Sequence, residues 1–257
     1  MTVVRIAVAG GTGWTGRLVV GALRAGGDEP VVLARSAGAD LTTGAGLAGK
    51  LDGLAAVIDV TNIATTRAKA AVRFFEAVTA NLLAAEQEAG VPHHVALSIV
   101  GVDRVDLGYY AAKRRQETLV LREPGQPGAP GGTVLRATQF HEFAAQALAR
   151  RGPVVIAPKM LCQPVGLAEV AAQLVRLARG EPAGLVPAMA GPGEQLEMPD
   201  MIRRLARVRG ERRPVAAVRV PGTGGRQLAG GALLPTGPGP RGTITFAEWL
   251  EQQRAQP

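Results

Sequence analysis

Val3-Val4-Arg5-Ile6-Ala7-Val8-Ala9 runs directly into Gly10-Gly11-Thr12-Gly13-Trp14-Thr15-Gly16, and Leu18, Val19, Ala22 and Leu23 follow at helical spacing. A short apolar run, a glycine-rich turn and an amphipathic helix in that order form a dinucleotide-binding entrance. The spacing of Gly10, Gly13 and Gly16 serves a tight turn, the approach of backbone to a pyrophosphate, and close packing of helix on strand. The helix begins at the phosphate. Its free N–H groups and positive dipole end receive the charge, so no lysine is needed there. Thr12, Trp14 and Thr15 complete the loop.

Apolar runs that read as strands recur at Val3–Ala9, Pro30–Arg35, Leu54–Val60, His93–Val100 and Thr133–Arg136, with helical stretches between them. This alternation predicts an α/β fold built on a doubly wound parallel sheet. The longest helix is expected from about Thr66 to Ala89, closed by Gly90-Val91-Pro92. Residues 1–150 then form the nucleotide-binding part, and 151–257 a smaller substrate-side lobe integrated with it. Helices are expected near Gly166–Arg179 and Pro199–Val208. Twelve of the 22 residues from Pro221 to Gly242 are Gly or Pro, which predicts a long irregular loop with at most one helical turn. Thr245 and Glu248 form a capping box for a terminal helix Phe246–Gln253, with Phe246 and Trp249 docking on the body.

With 47% hydrophobic and 19% charged residues the chain is globular, not disordered. The single Cys162 and three histidines give no disulfide and no metal-ligand spacing, so a reducing cytoplasm and no metal are expected. No run of 18 apolar residues points to a membrane. The formal charge of +8 invites a nucleic-acid reading. Its distribution opposes that reading: seven arginines (Arg203, Arg204, Arg207, Arg209, Arg212, Arg213, Arg219) cluster without an interleaved aromatic to stack bases, as on a solvated helix face.

The cofactor is read at the end of the second strand, Val31-Val32-Leu33-Ala34-Arg35-Ser36. An acid there accepts bonds from the ribose of NAD. Arg35 occupies its place, and a guanidinium pairs with a 2′-phosphate while Ser36 adds a hydroxyl, so NADPH is expected over NADH. Asp40 is placed towards the adenine. Tyr109 and Lys113 stand four apart on one helix face. A nearby ammonium favours phenolate, which would bring the tyrosine towards proton exchange at neutral pH. Ser98, at a carboxyl strand end, lies where a hydroxyl holds a substrate carbonyl.

These residues together resemble a short-chain dehydrogenase/reductase of the atypical or extended kind, similar to NmrA-like proteins. The glycine loop, Asp40-Leu41, Asp59-Val60-Thr61-Asn62, the helix around Thr79–Ala85, the Tyr109/Lys113 pair, Val134–Phe140 and Thr245–Leu250 carry the likeness over nearly the whole chain. The resemblance implies a Rossmann fold and places Thr61 and Asn62 at the cofactor. It makes Tyr109 the general acid, Lys113 the residue that holds the nicotinamide ribose and tunes Tyr109, Ser98 the orienting hydroxyl, and Asn81 the support of a water relay. Ser98 precedes Tyr109 by eleven positions, shorter than the family interval, and Ile99 stands where a paired serine is usual. Tyr110, Phe140, His141 and Met160 are expected to line the substrate pocket. The function so implied is NADPH-dependent reduction of a carbonyl or quinone-like group in a small apolar molecule. Its rivals are an NmrA-like nucleotide sensor and an epimerase or dehydratase of the extended group.

Overall fold

The computed structural model describes residues 3–65, 67–122 and 128–254. Its first half contains β1 (Arg5–Ala9), α1 (Trp14–Ala25), β2 (Glu29–Leu33), β3 (Ala56–Asp59), α2 (Ala68–Ala89), β4 (His93–Ile99), α3 (Gly108–Val120) and β5 (Gly131–Ala137). There follow α4 (Glu142–Leu148), β6 (Val155–Pro158), β7 (Leu161–Cys162), α5 (Leu167–Ala178), β8 (Gly184–Leu185), β9 (Leu196–Glu197), α6 (Met198–Val208), β10 (Val215–Val218), α7 (Gly222–Ala229) and α8 (Phe246–Arg254). Thr66, the expected start of the long helix, lies outside the described residues.

Six strands form one sheet in the order β2-β1-β3-β4-β5-β8. The pairs β1–β2, β1–β3, β3–β4 and β5–β8 are parallel. This is the expected doubly wound α/β architecture. The chain leaves β1 for β2 on one side and returns to β3 on the other, so the order reverses at β1, and ligands bind such sheets outside the carboxyl ends at that point.

The chain divides into two compact units, one of 1–98, 108–136 and 171–186, the other of 99–107, 137–170 and 187–257. The first unit carries the sheet. Ala7, Leu33, Val57, Val78 and Leu82 are fully buried in one cluster, and Phe75 packs with Ala71 and Ala112 where α2 meets α3. A Cβ on Gly108 would lie 2.1 Å from the Ala68 Cβ, so the two helix starts touch only because residue 108 has no side chain. Gly90 ends α2 in the left-handed conformation (φ 69°), as a glycine stop does.

The second unit holds the parallel pair β6–β10 and the antiparallel pair β7–β9. One face of α6 is buried through Met201, Ile202 and Leu205. The capping box of α8 forms as expected: Thr245 N and Oγ1 each donate to Glu248 Oε2 at 2.8 Å. Residues 221–242 depart from the expected loop, for α7 occupies eight of them. Two of its glycines supply close approach: a Cβ on Gly224 would lie 2.4 Å from Asp106 O and one on Gly225 1.7 Å from Val220 O.

Candidate functional site

The glycine loop closes the β1–α1 connection through Gly10 N to Leu33 O (3.0 Å) and Gly13 N to Gly10 O (2.9 Å). Gly10 is left-handed (φ 78°), and a Cβ there would stand 3.2 Å from the Thr61 Cα. A Cβ on Gly16 would lie 2.1 Å from Gly10 O. Gly13, extended and exposed, caps α1 with no side-chain hydrogen bond, and the first turn of the helix carries no acid. Uncapped N–H groups beside an exposed glycine fit the diphosphate of a dinucleotide. Thr12 and Trp14 are exposed on the same lip, with Thr15 half-buried behind them.

Arg35 and Ser36 open a short 3-10 turn after β2, and both are exposed. Asp40 Oδ1 accepts from Thr42 N (2.9 Å) and Thr42 Oγ1 (2.6 Å). Those bonds, with a smaller contribution from the Arg35 charge, hold its carboxyl below the usual range.

The exit of β3 and the helix α3 bring the second constellation together. Tyr109 Oη donates to Asn62 Oδ1 at 2.7 Å, and its ring meets Phe75 and Tyr110 edge-on, with centroids 5.9 and 5.8 Å apart. Lys113 Nζ turns inward, donating to Leu97 O at 2.7 Å and to Gln116 Oε1, and it lies 4.7 Å from the Phe75 ring centroid. Gln116 Nε2 donates to Asp59 Oδ2 at 2.7 Å, and Asp59 Oδ1 accepts from Thr61 N at 2.8 Å. Asp59, Lys113 and Gln116 are all buried. Burial pushes the Tyr109 phenol up to about 12 and brings the Lys113 ammonium down to about 8, against the opposing pull of Asp59 and then Glu117. The expected lowering of Tyr109 by Lys113 is therefore corrected: burial, which disfavours phenolate, sets the direction.

Ser98 Oγ and Thr61 Oγ1 are buried without a hydrogen-bond partner. Unpaired buried hydroxyls are costly unless a ligand completes them. Asn81 is committed elsewhere, donating to Leu41 O at 3.0 Å, so its expected place in a water relay is corrected. Asn62 is the asparagine that meets the tyrosine. Sequence reasoning placed it at the cofactor and missed this contact, as it missed Gln116 altogether; the spacing of Gln116 three residues after Lys113 was the available signal.

Three expected pocket residues belong to the second unit. His141 is fully buried, with Nε2 3.1 Å from Ile244 O and its ring 5.6 and 5.8 Å from Phe246 and Trp249. It packs the terminal helix, which corrects its reading as a pocket wall. The Phe140 and Phe143 rings meet at a tilt of 52°, with centroids 5.2 Å apart. Met160 and Phe143 line a mainly apolar cavity of about 250 Å³ with Ile156, Met198 and Ile202, and Gln146 and Arg150 add polar groups to its wall. Burial pushes the Cys162 thiol well above its usual range, so it is no nucleophile. In the arginine run, Arg203 holds Asp200, Arg204 holds Glu194, Arg209 holds Gln253 and Arg213 holds Glu211. Among the described residues no group of His, Cys, Asp and Glu is placed to hold a metal, and no helix is long and apolar enough to cross a membrane.

No family model matches the sequence, and no curated protein matches it. Solved structures match it end to end. UDP-N-acetylglucosamine 4-epimerase from Bacillus cereus aligns at 18% identity over 98% of this chain and 96% of its own, with a TM-score of 0.70. MoeE5 in complex with UDP-glucose and NAD aligns at 17% over 98% and 99%, TM-score 0.73. UDP-glucose-4-epimerase from Stenotrophomonas maltophila, with NAD and formylated UDP-arabinopyranose, aligns at 15% over 98% and 97%, TM-score 0.72. At these identities the likeness defines the class by fold: an extended Rossmann-type α/β chain with a smaller C-terminal lobe. The narrower NmrA-like resemblance draws no support from these three. The expectation of NADPH is overturned, since the latter two structures carry NAD; Arg35 is an exposed side chain, and an exposed arginine is ordinarily a surface cation.

Proposed function

We propose that the chain is an NAD-dependent enzyme that rearranges a sugar nucleotide by transient oxidation, as an epimerase or dehydratase does. The end-to-end match to sugar-nucleotide enzymes carries this reading, and the Tyr109–Lys113 helix supports turnover over an NmrA-like sensor. NAD, when bound, supplies a site that accepts a hydride and returns it. The loop Gly10–Gly16 and the start of α1 seat the diphosphate, with Thr12, Trp14 and Thr15 at its lip and Arg35, Ser36 and Asp40 at the adenosine end. Tyr109 Oη exchanges the proton of the sugar hydroxyl as that carbon is oxidised and then reduced. The unpartnered Ser98 Oγ holds the same oxygen, and Thr61 and Asn62 border it.

The test is incubation with NAD and a panel of UDP-sugars, read by NMR for an epimer or a dehydrated product without net NADH. Substrate-dependent accumulation of NADH, or no product from any UDP-sugar, would overturn it. One observation favours a second reading, reduction of a carbonyl or quinone-like group in an apolar molecule: the apolar lining of the cavity at Met160 and Phe143. Net nicotinamide consumption separates the two.

A further inference from the structure

Lys113 is provided with a complete set of partners that excludes the tyrosine it is expected to serve. An ammonium has three protons. One goes to Leu97 O, one to Gln116 Oε1, and the remaining face of the charge lies against the Phe75 ring. Gln116 is oriented in turn. Its amide nitrogen donates to Asp59 Oδ2, which leaves its oxygen to face the lysine, and Asp59 is fixed by Thr61 N through its other oxygen. Asp59, Lys113 and Gln116 are buried, and Thr61 is the residue against which Gly10 of the nucleotide loop closes.

We propose that Gln116 and Asp59 are positioning residues that form an internal berth for Lys113, holding its ammonium away from Tyr109 in the resting protein. This rests on the proposed function for the need to bring lysine and tyrosine together later. An amide does not pass a net proton along, so the chain fixes position and is not a proton wire. The berth makes the tyrosine a weak proton exchanger until the lysine leaves. The β3 exit, Asp59–Asn62, touches the glycine loop, the lysine berth and the Tyr109 hydroxyl at once. It is thus the segment through which a bound nucleotide would release the lysine.

The test follows Lys113 directly. The chain has four lysines, Lys50, Lys69, Lys113 and Lys159, so protein labelled with 13C at lysine Cε gives four resonances, and Lys113→Arg identifies the one of interest. The charges that face Lys113 are Asp59 from β3 and Glu117 of its own helix, the latter paired with Arg136 of β5 at 2.7 Å. In the wild-type protein the resonance should titrate at about 8, the value to which burial brings the ammonium. Gln116→Met removes the acceptor at nearly constant volume. Asp59→Asn places an amide nitrogen opposite Gln116, which must turn its own nitrogen towards the lysine and repel it. In both variants the freed side chain moves to water and its midpoint rises towards the ordinary lysine value of about 10.4. If the lysine stays where it is, losing an acceptor or a counter-charge drives its midpoint below about 8. A fall or no change in both folded variants overturns the proposal. Addition of NAD to the wild type, followed by Trp fluorescence and by the same resonance, is the second arm. Absence of NAD binding counts against the proposed function and leaves the berth to be decided by the apo titrations.

Discussion

Gly13 and Gly16 lie three residues apart in one loop, and the structure gives them opposite jobs. A methyl group on Gly16 would sit 2.1 Å from Gly10 O, 2.5 Å from Gly11 Cα and 2.8 Å from Gly10 C, all of it backbone. Ordinary contact begins near 3.4 Å, so Gly16→Ala must separate α1 from the turn by about 1 Å or more. Overpacking of this kind costs about 1–3 kcal/mol, which lowers Tm by about 2–10 °C in a chain of this size. A methyl on Gly13 meets only Gly10 O, at 3.2 Å, and its backbone (φ −74°, ψ 177°) suits any residue. Gly13→Ala should therefore melt within about 2 °C of the wild type. Its methyl projects where the diphosphate must approach, so NAD affinity should fall about tenfold or more, about 1.4 kcal/mol. Thermal melts by circular dichroism and calorimetric titration of NAD read the two effects separately. A Gly16→Ala protein as stable as the wild type, or a folded Gly13→Ala protein that binds NAD normally, would refute the assignment of this loop.

Tyr109→Phe should cut turnover by roughly 10² or more with NAD affinity nearly unchanged, and Tyr110→Phe should be mild, as single-turnover assays on a UDP-sugar would read; a dead Tyr110→Phe enzyme would shift the site by one residue. In the Tyr110→Phe protein the remaining phenol should ionise near 12 by ultraviolet titration, because burial disfavours phenolate; a midpoint near 10 would contradict the buried setting. Arg179 Nε and Nη2 grip the fully buried Asp28 carboxylate at 2.8 and 2.6 Å, so Arg179→Ala should leave that carboxylate without its counter-charge and lower the urea midpoint, and an unchanged midpoint would show the pair to be dispensable. His94 Nδ1 lies 2.8 Å from Glu86 Oε1 with both side chains fully buried. Burial acts to lower the His94 pKa but is outweighed by the Glu86 carboxylate, so it ends raised, while burial raises Glu86. The pair's contribution is then full below the unfolded histidine value of about 6.5 and fades as pH rises through the raised folded value. Glu86→Ala should accordingly destabilise more at pH 6 than at pH 9; a cost that grows with pH would reverse this reading.

The sheet and its nucleotide loop were legible because each strand, turn and helix is specified by residues adjacent in sequence. What side chains do at the site depends on residues far apart, and there the reading failed in instructive ways. Arg35 announced a positive charge, but an exposed arginine after a strand serves as readily as an ordinary surface cation, and the strand pattern does not tell the two apart. The four-residue spacing of Tyr109 and Lys113 showed that they share a helix face. It did not show that Leu97 and Gln116 offer the ammonium better partners. Asn81 and Asn62 are chemically alike, and only the fold decides that one holds Leu41 while the other receives Tyr109. His141 is expected in the pocket wall, yet Phe246 and Trp249 of α8, more than 100 residues later, cover its ring. Gly224 and Gly225 fall in a stretch that reads as an irregular loop, where the structure uses them as absent volume.

The contact between Ala68 and Gly108 makes the first turn of α3, and Tyr109 with it, answerable to a residue 41 positions earlier. Neither position carries a functional group, and together they have room for one methyl. Size at residue 68 is therefore a steric dial on the tyrosine's placement. Directed evolution that must re-aim the hydroxyl towards a different substrate can turn it by a single carbon at a time, without touching any residue that performs chemistry.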